Sequence, residues 1–178
     1  MRVIAGKNRG TKLITAKGMV TRPTDDRLKE NVFNLIGPIE KDSKVLDLFA
    51  GSGQIGIEFL SRGAGSCTFV DRNAKAIQAI RSNLEKTRWL EHATVIHGDY
   101  TLVFRNPSTQ FKYIYIDPPY DENKILTNLF HLLKLSDIIG DRTWIIFETI
   151  KDFQIDKDFI ILKERVYGKR KIIISEVR

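Results

Sequence analysis

The chain has one cysteine, Cys67, in 178 residues. That excludes an internal disulfide framework and points to a reducing cytoplasm. Three histidines, His92, His97 and His131, share no ligand spacing with Cys67 or with one another, so no metal site is expected. No apolar run approaches the roughly 18–20 residues that span a bilayer, and residues 1–22 lack the apolar core of a signal peptide. Repeats and low-complexity segments are missing too. With 42% hydrophobic and 29% charged residues, what remains is a globular chain long enough for one domain, or one domain with a small appendage.

Acids are missing from the first 22 residues, where Arg2, Lys7, Arg9, Lys12, Lys17 and Arg22 stand unopposed. The net charge of +7 is distributed accordingly. Residues 1–41 carry nine basic against four acidic side chains, residues 42–150 twelve against thirteen, and residues 151–178 eight against five. A neutral middle with basic ends suits a phosphate-backbone partner.

The hydrophobic pattern supplies the elements. Val3–Gly6 and Lys12–Ile14 flank a turn-rich stretch and predict a small hairpin. Pro23 is followed by Thr24, Asp25 and Asp26, a capping hydroxyl and two acids that open a helix whose apolar face is Leu28, Val32, Leu35 and Ile36, ending at Gly37-Pro38. From residue 44 strands and helices alternate, the pattern of a parallel sheet covered on both sides. Strands are expected at 44–49, 67–71, 93–97, 113–117, 143–148, 159–165 and 171–176. Helices are expected at 54–62, 74–87 and 124–135. Five residues separate the last two strands, too few for a helical crossover, so these form an antiparallel hairpin. The cluster Lys169-Arg170-Lys171 sits there, either on phosphate or in a solvated turn.

The strongest motif is Asp47-Leu48-Phe49-Ala50-Gly51-Ser52-Gly53-Gln54-Ile55-Gly56, a G-x-G-x-x-G between a strand and a helix. Glycines let backbone approach a ligand, and the helix start offers unpaired N–H groups. Asp71 ends the next strand 20 residues after Gly51, where its carboxylate can accept ribose hydroxyls. Asp47 separates the cofactor options. A carboxylate there repels a pyrophosphate and attracts an ammonium, which favours S-adenosylmethionine over NAD. Asp99 after the third strand suits an adenine amino group, and Phe49, Arg72 and Tyr100 complete the expected cofactor set with Asp47, Gly51, Gly53 and Asp71.

A second motif, Asp117-Pro118-Pro119-Tyr120, follows the fourth strand. An exocyclic amine is a poor nucleophile because its lone pair is delocalised into the base. Hydrogen bonds to the Asp117 carboxylate and the Pro118 carbonyl localise that pair and aim it, while Tyr120 stacks on the base for about 1–3 kcal/mol.

With these motifs in view, the sequence closely resembles the RsmD-type class I methyltransferases that modify guanine N2 in bacterial 16S rRNA. The resemblance rests on Arg22-Pro23-Thr24-Asp25-Asp26-Arg27 with Glu30 and Phe33-Asn34, on Leu46 to Gly53, on Leu60 to Ala64, on Phe69-Val70-Asp71 and on Asp117 to Tyr120. Gln54 stands where Ala or Ser is usual in the family. The resemblance implies a Rossmann-like α/β fold with a seven-stranded, mostly parallel sheet and a reversed last strand. It also implies a basic hairpin and helix (residues 1–41) that help hold RNA ahead of the methyltransferase domain (residues 42–178). Lys7, Arg9 and Lys12 are then RNA contacts. Arg22 and Thr24 reach cofactor or target base, or else form a helix cap with a solvated arginine. The expected enzyme is a cytoplasmic monomer acting on 16S rRNA in an assembling small subunit. Alternatives are an adenine-N6 methyltransferase, a nicotinamide oxidoreductase, disfavoured by Asp47 and the Asp117 motif, and a non-catalytic RNA-binding module, which would need neither.

Overall fold

Val45-Leu46 and Tyr113 to Ile116 are apolar on both faces, as strands in the middle of a two-sided sheet must be. A computed structural model of the chain describes residues 1–15, 24–105, 109–118 and 122–178. Seven strands form one sheet: β1 (Lys44–Asp47), β2 (Ser66–Asp71), β3 (Ala93–His97), β4 (Phe111–Ile116), β5 (Ile139–Ile150), β6 (Phe159–Tyr167) and β7 (Arg170–Val177). Their order is β3-β2-β1-β4-β5-β7-β6, with β7 antiparallel to both neighbours and the remaining pairs parallel. This is the expected class I methyltransferase sheet.

Alternation along the strands divides the core into two layers. Val45, Tyr113, Tyr115, Ile146, Ile172 and Ile174 face α1 (Thr24–Ile36), α2 (Gln54–Ser61) and α3 (Ala74–Thr87). Leu46, Ile114, Ile116, Ile145, Phe147 and Ile173 face the other way, onto α4 (Glu122–Leu135) through Leu126, Leu129, Phe130 and Leu133. The expected helix face of α1 meets the first layer through Val32 and Ile36, joined by Phe33, with Leu28 and Leu35 packed at its margin.

Residues 1–15 form the expected small hairpin, with too few regular bridges to make full strands. Arg2 bridges Lys12 antiparallel, the Val3 N–H donates to the Thr11 carbonyl and the Gly10 N–H to the Val3 carbonyl at 2.9 Å each, the Leu13 N–H donates to the Met1 carbonyl at 3.1 Å, and the segment is pinned to α2 as well. Buried Glu58 of α2 accepts the N–H groups of Ile4 and Ala5 at 2.8 and 2.9 Å. Gly6 sits at φ 81° so close to α2 that a Cβ would lie 1.8 Å from the Ser61 carbonyl oxygen. Val3 and Leu13 enter the same core as α2 and α3. The first strand also stops at Asp47, two residues before the expected end, as the chain turns into the glycine loop.

Strand order reverses between β1 and β4: the chain runs from β1 outward to β2 and β3, then returns to β4 on β1's other side. At such a switch point the loops after neighbouring parallel strands diverge and open a crevice at their carboxyl ends. Asp47 ends β1 and Asp117 follows β4, so both acids flank it.

Candidate active site

A cleft of about 1180 Å³ occupies that crevice. It is lined from β1 and its loop by Asp47, Phe49, Gly51 and Gln54, from β2 by Asp71 and Arg72, after β3 by Asp99 and Tyr100, and after β4 by Asp117 and Pro118. Every cofactor residue expected from sequence lines it except Gly53, which shapes the loop from behind.

The three glycines have different duties. Gly51 (φ 55°) has nothing within 4 Å of where a Cβ would stand, so its missing side chain leaves the cleft open to a ligand. Gly53 (φ 78°) adopts the left-handed turn that starts α2. Gly56 lets α2 lie on β2: a Cβ there would meet Phe69 Cε1 at 2.2 Å and Cys67 Sγ at 2.6 Å.

The acids hold this loop as well as lining the cleft. Asp47 Oδ2 accepts the Gly56 N–H at 3.0 Å, and burial pushes its carboxyl up to about 7, against the pull of that hydrogen bond and with added repulsion from Asp71. A cation delivered by a ligand is therefore the partner this site favours. Asp71 Oδ2 accepts the Gly51 N–H and Oδ1 that of Asn73, both at 2.8 Å, which joins the end of β2 to the glycine turn. Asp99 Oδ1 accepts the Thr101 N–H at 3.0 Å. The Phe49 and Tyr100 rings lie 5.5 Å apart, and the Tyr100 hydroxyl accepts from Asn128 at 2.9 Å. Gln54 Oε1 is buried with no hydrogen-bond partner in a side chain that lines the cleft, a polar atom suited to a ligand donor.

Tyr115 and Glu148, not singled out from sequence, and Arg170 of the basic cluster surround Asp117. Glu148 of β5 takes a hydrogen bond from the Tyr115 hydroxyl at 2.5 Å, and Arg170 of β7 lies 3.7 Å from Glu148 Oε1 and 3.9 Å from Asp117 Oδ1. Burial, reinforced by the Glu148 charge, pushes the Tyr115 phenol well up. An acid at the carboxyl end of the apolar run Trp144 to Phe147 repeats the signal given by Asp47, Asp71 and Asp117, and could have exposed Glu148. The basic cluster at the last hairpin divides. Lys169 is exposed at the cleft, Arg170 turns toward the acids, and Lys171 is buried with Nζ donating to the Phe153 carbonyl at 2.8 Å.

Lys7, Arg9 and Lys12 are exposed on the anchored N-terminal segment and do not line the cleft, although Met1 and Thr15 of that segment do. Lys7 Nζ stands 5.5 Å from the Trp89 ring centre. Thr24 begins α1. Arg22 and Tyr120 lie outside the described residues, as does the Thr24 side chain. Among the described residues no group of His, Cys, Asp or Glu is arranged to hold a metal ion, and no helix is long and apolar enough to cross a membrane.

A sequence model of a family described as conserved hypothetical protein 95 matches residues 1–176. Bacillus subtilis YlbH is 38% identical over 184 aligned positions that cover 100% of both chains. Ribosomal RNA small subunit methyltransferase D of Haemophilus influenzae is 34% identical over 94% of this chain and 89% of its own. The chain belongs to this family, the RsmD family of methyltransferases. Among solved structures, Escherichia coli yhhF superposes with a TM-score of 0.86 at 29% identity, covering 100% of this chain and 99% of that one. An RsmD-family member is a methyltransferase and requires a methyl donor. The cleft fits one: it offers a buried acid for a cation, a glycine facing open space and an unsatisfied amide oxygen.

Proposed function

We propose that this chain transfers a methyl group to the exocyclic N2 of a guanine in 16S rRNA, using S-adenosylmethionine. The observation that carries the reading is the placement of Asp117-Pro118 and the Asp47–Gly56 loop on opposite sides of one switch-point crevice. Bound there by Asp47, Gly51, Asp71 and Asp99, with Phe49, Gly53, Arg72 and Tyr100 forming its surroundings, S-adenosylmethionine supplies an electrophilic methyl on a sulfonium.

The chain's own residues do the rest. Asp117 and the Pro118 carbonyl accept the two N–H groups of the target amine, which turns its lone pair toward the donor. Asp117 is then placed to receive the proton the nitrogen loses. Tyr120 stacks on the extruded base. Lys7, Arg9, Lys12, Arg22 and Thr24 hold the RNA, so residues 1–41 serve binding and residues 42–178 serve transfer. The names of the Haemophilus influenzae and Escherichia coli relatives, ribosomal RNA small subunit methyltransferase D, support the small-subunit substrate. The enzyme acts in the cytoplasm as a monomer, on a protein-bearing particle in preference to naked RNA.

Mass mapping of methylated nucleotides in small-subunit RNA, with and without this protein, tests the reading. One N2-methylguanosine should disappear when the protein is removed. Loss of an N6-methyladenosine, or an unchanged map, refutes it. Calorimetric titration should show binding of S-adenosylhomocysteine and none of NADH.

A further inference from the structure

The reversed last strand brings a cation to the amine site. Because β7 runs antiparallel to β5, it begins where the parallel strands end, with Arg170 opposite Ile150. Arg170 therefore enters the crevice from the side opposite the glycine loop. Its Nε is 3.7 Å from Glu148 Oε1 and its Nη1 is 3.9 Å from Asp117 Oδ1. Both separations exceed a hydrogen bond and lie within ion-pair range. Glu148 is in turn fixed by the Tyr115 hydroxyl on its other oxygen. The guanidinium thus stands between two carboxylates, one held from behind and one aimed at the cleft.

We propose that Arg170 is a positioning residue for methyl transfer: it keeps the Asp117 carboxylate ionised and oriented toward the target amine, and Glu148, braced by Tyr115, limits how strongly it does so. The proposal rests on the reading of Asp117 as the acceptor for an exocyclic amine. A protonated Asp117 would present a donor to an N–H group and could not take up the proton the nitrogen loses. A guanidinium drawn fully onto Asp117 would compete with that amine. Sharing Arg170 with Glu148 avoids both outcomes.

Other charges face the same space and set the sign of the test. Asp47 from β1 opposes ionisation of Asp117. Asp71 and Asp99 act with Asp47, whereas Lys169 from the β6–β7 turn, Arg27 from α1 and Arg72 after β2 favour ionisation, and Lys29 is paired with Glu58. Substitutions at Arg170 and Glu148 should act on Asp117 in opposite directions. Removing the cation makes the carboxylate easier to protonate, and removing the neighbouring anion makes it harder.

The experiment follows the Asp117 carboxyl carbon by NMR titration in the cofactor-free protein, for wild type, Arg170→Gln, Arg170→Lys and Glu148→Gln. It then measures kcat against pH with saturating S-adenosylmethionine and RNA. Arg170→Gln should raise the Asp117 midpoint by about one pH unit and move the acid limb of kcat with it. Affinity for S-adenosylhomocysteine should stay within a few-fold. Arg170→Lys should restore most of the difference, which a merely structural role for the hairpin would not predict. Glu148→Gln should lower the midpoint while also reducing kcat. Midpoints that stay put, or that move in the same direction in both variants, overturn the proposal. If wild type makes a product other than N2-methylguanosine, the guanine reading fails, while the titration still decides the role of Arg170.

Discussion

Asp47→Asn separates the stability of this fold from its function. The Asp47 side chain is 2% exposed, and its carboxyl is pushed from 3.8 to about 7, chiefly by burial. A folded-state value above the unfolded one means that the folded chain holds a proton the unfolded chain has released. Stability from this group is therefore full below about pH 4 and falls as pH rises toward 7. Three pH units at about 1.4 kcal/mol each give a loss of about 4 kcal/mol by pH 8, a large fraction of the roughly 5–15 kcal/mol that holds a domain folded. Asparagine can still accept the Gly56 N–H and carries no charge to desolvate. Urea unfolding of cofactor-free wild type and Asp47→Asn from pH 4 to pH 8 isolates the effect, because other titrating groups cancel in the difference. The variant should gain on wild type by up to about 4 kcal/mol across that range, while losing affinity for S-adenosylmethionine. A stability difference that stays constant within about 1 kcal/mol would falsify the assignment of Asp47 as a buried, reluctant anion.

Four other substitutions probe separate parts of the argument. Asp117→Ala should abolish methyl transfer yet leave S-adenosylhomocysteine affinity within a few-fold by calorimetry; lost cofactor binding would contradict the division between the two motifs. Gly56→Ala forces a methyl against Phe69 and Cys67 and should cost about 1–3 kcal/mol, read as a melting temperature lower by several degrees; an unchanged melting curve refutes the close packing of α2 on β2. Glu58→Gln leaves the Lys29 ammonium, 1% exposed and 3.3 Å from the carboxylate, without its counter-charge, which should destabilise the fold by about 3–5 kcal/mol in chemical unfolding. Charge reversal at Lys7, Arg9 and Lys12 together should weaken RNA binding and flatten its dependence on salt, and an identical slope removes that segment from the interface.

The parallel sheet was legible because two-sided burial writes long apolar runs such as Tyr113 to Ile116, and period-2 alternation then assigns Val45 and Leu46 to opposite layers. The glycine loop was legible because its residues are local in sequence and each has a distinct steric duty. The acids that end strands were half legible. Asp47, Asp71 and Asp117 could be placed at the crevice, but not the hydrogen bonds by which Asp47 and Asp71 hold the loop at Gly56 and Gly51. Glu148 escaped, and Arg170 was placed in a turn and not beside the acids, because their meeting depends on β7 lying between β5 and β6, a pairing that no local pattern encodes. The N-terminal hairpin was legible, but its anchoring to α2 was hidden for a similar reason. The N–H groups of Ile4, Ala5, Lys7 and Asn8 go to Glu58 and Ser61, more than fifty residues away, and residue spacing carries no trace of such partners.

That same N-terminal anchoring explains how a strongly basic segment can coexist with an acid-lined cleft. Glu58, fully buried, takes Lys29 and Arg62 together with two backbone N–H groups, and the Lys29 ammonium, drawn below its ordinary range by burial, also donates to the Arg2 carbonyl. Asn83 of α3 then ties Ile14 at one end of the segment to the Ser52 carbonyl in the glycine loop. The cations used inside the fold share the Glu58 carboxylate, and Lys7, Arg9 and Lys12 remain outside on backbone fixed at both ends. A polyanion that meets them finds a segment already ordered, so little conformational entropy is lost on contact. Asn83 thereby links Ile14 to Ser52, one residue from each of the glycines Gly51 and Gly53 that shape the loop. A basic tail on a flexible tether would supply the same charge without that connection.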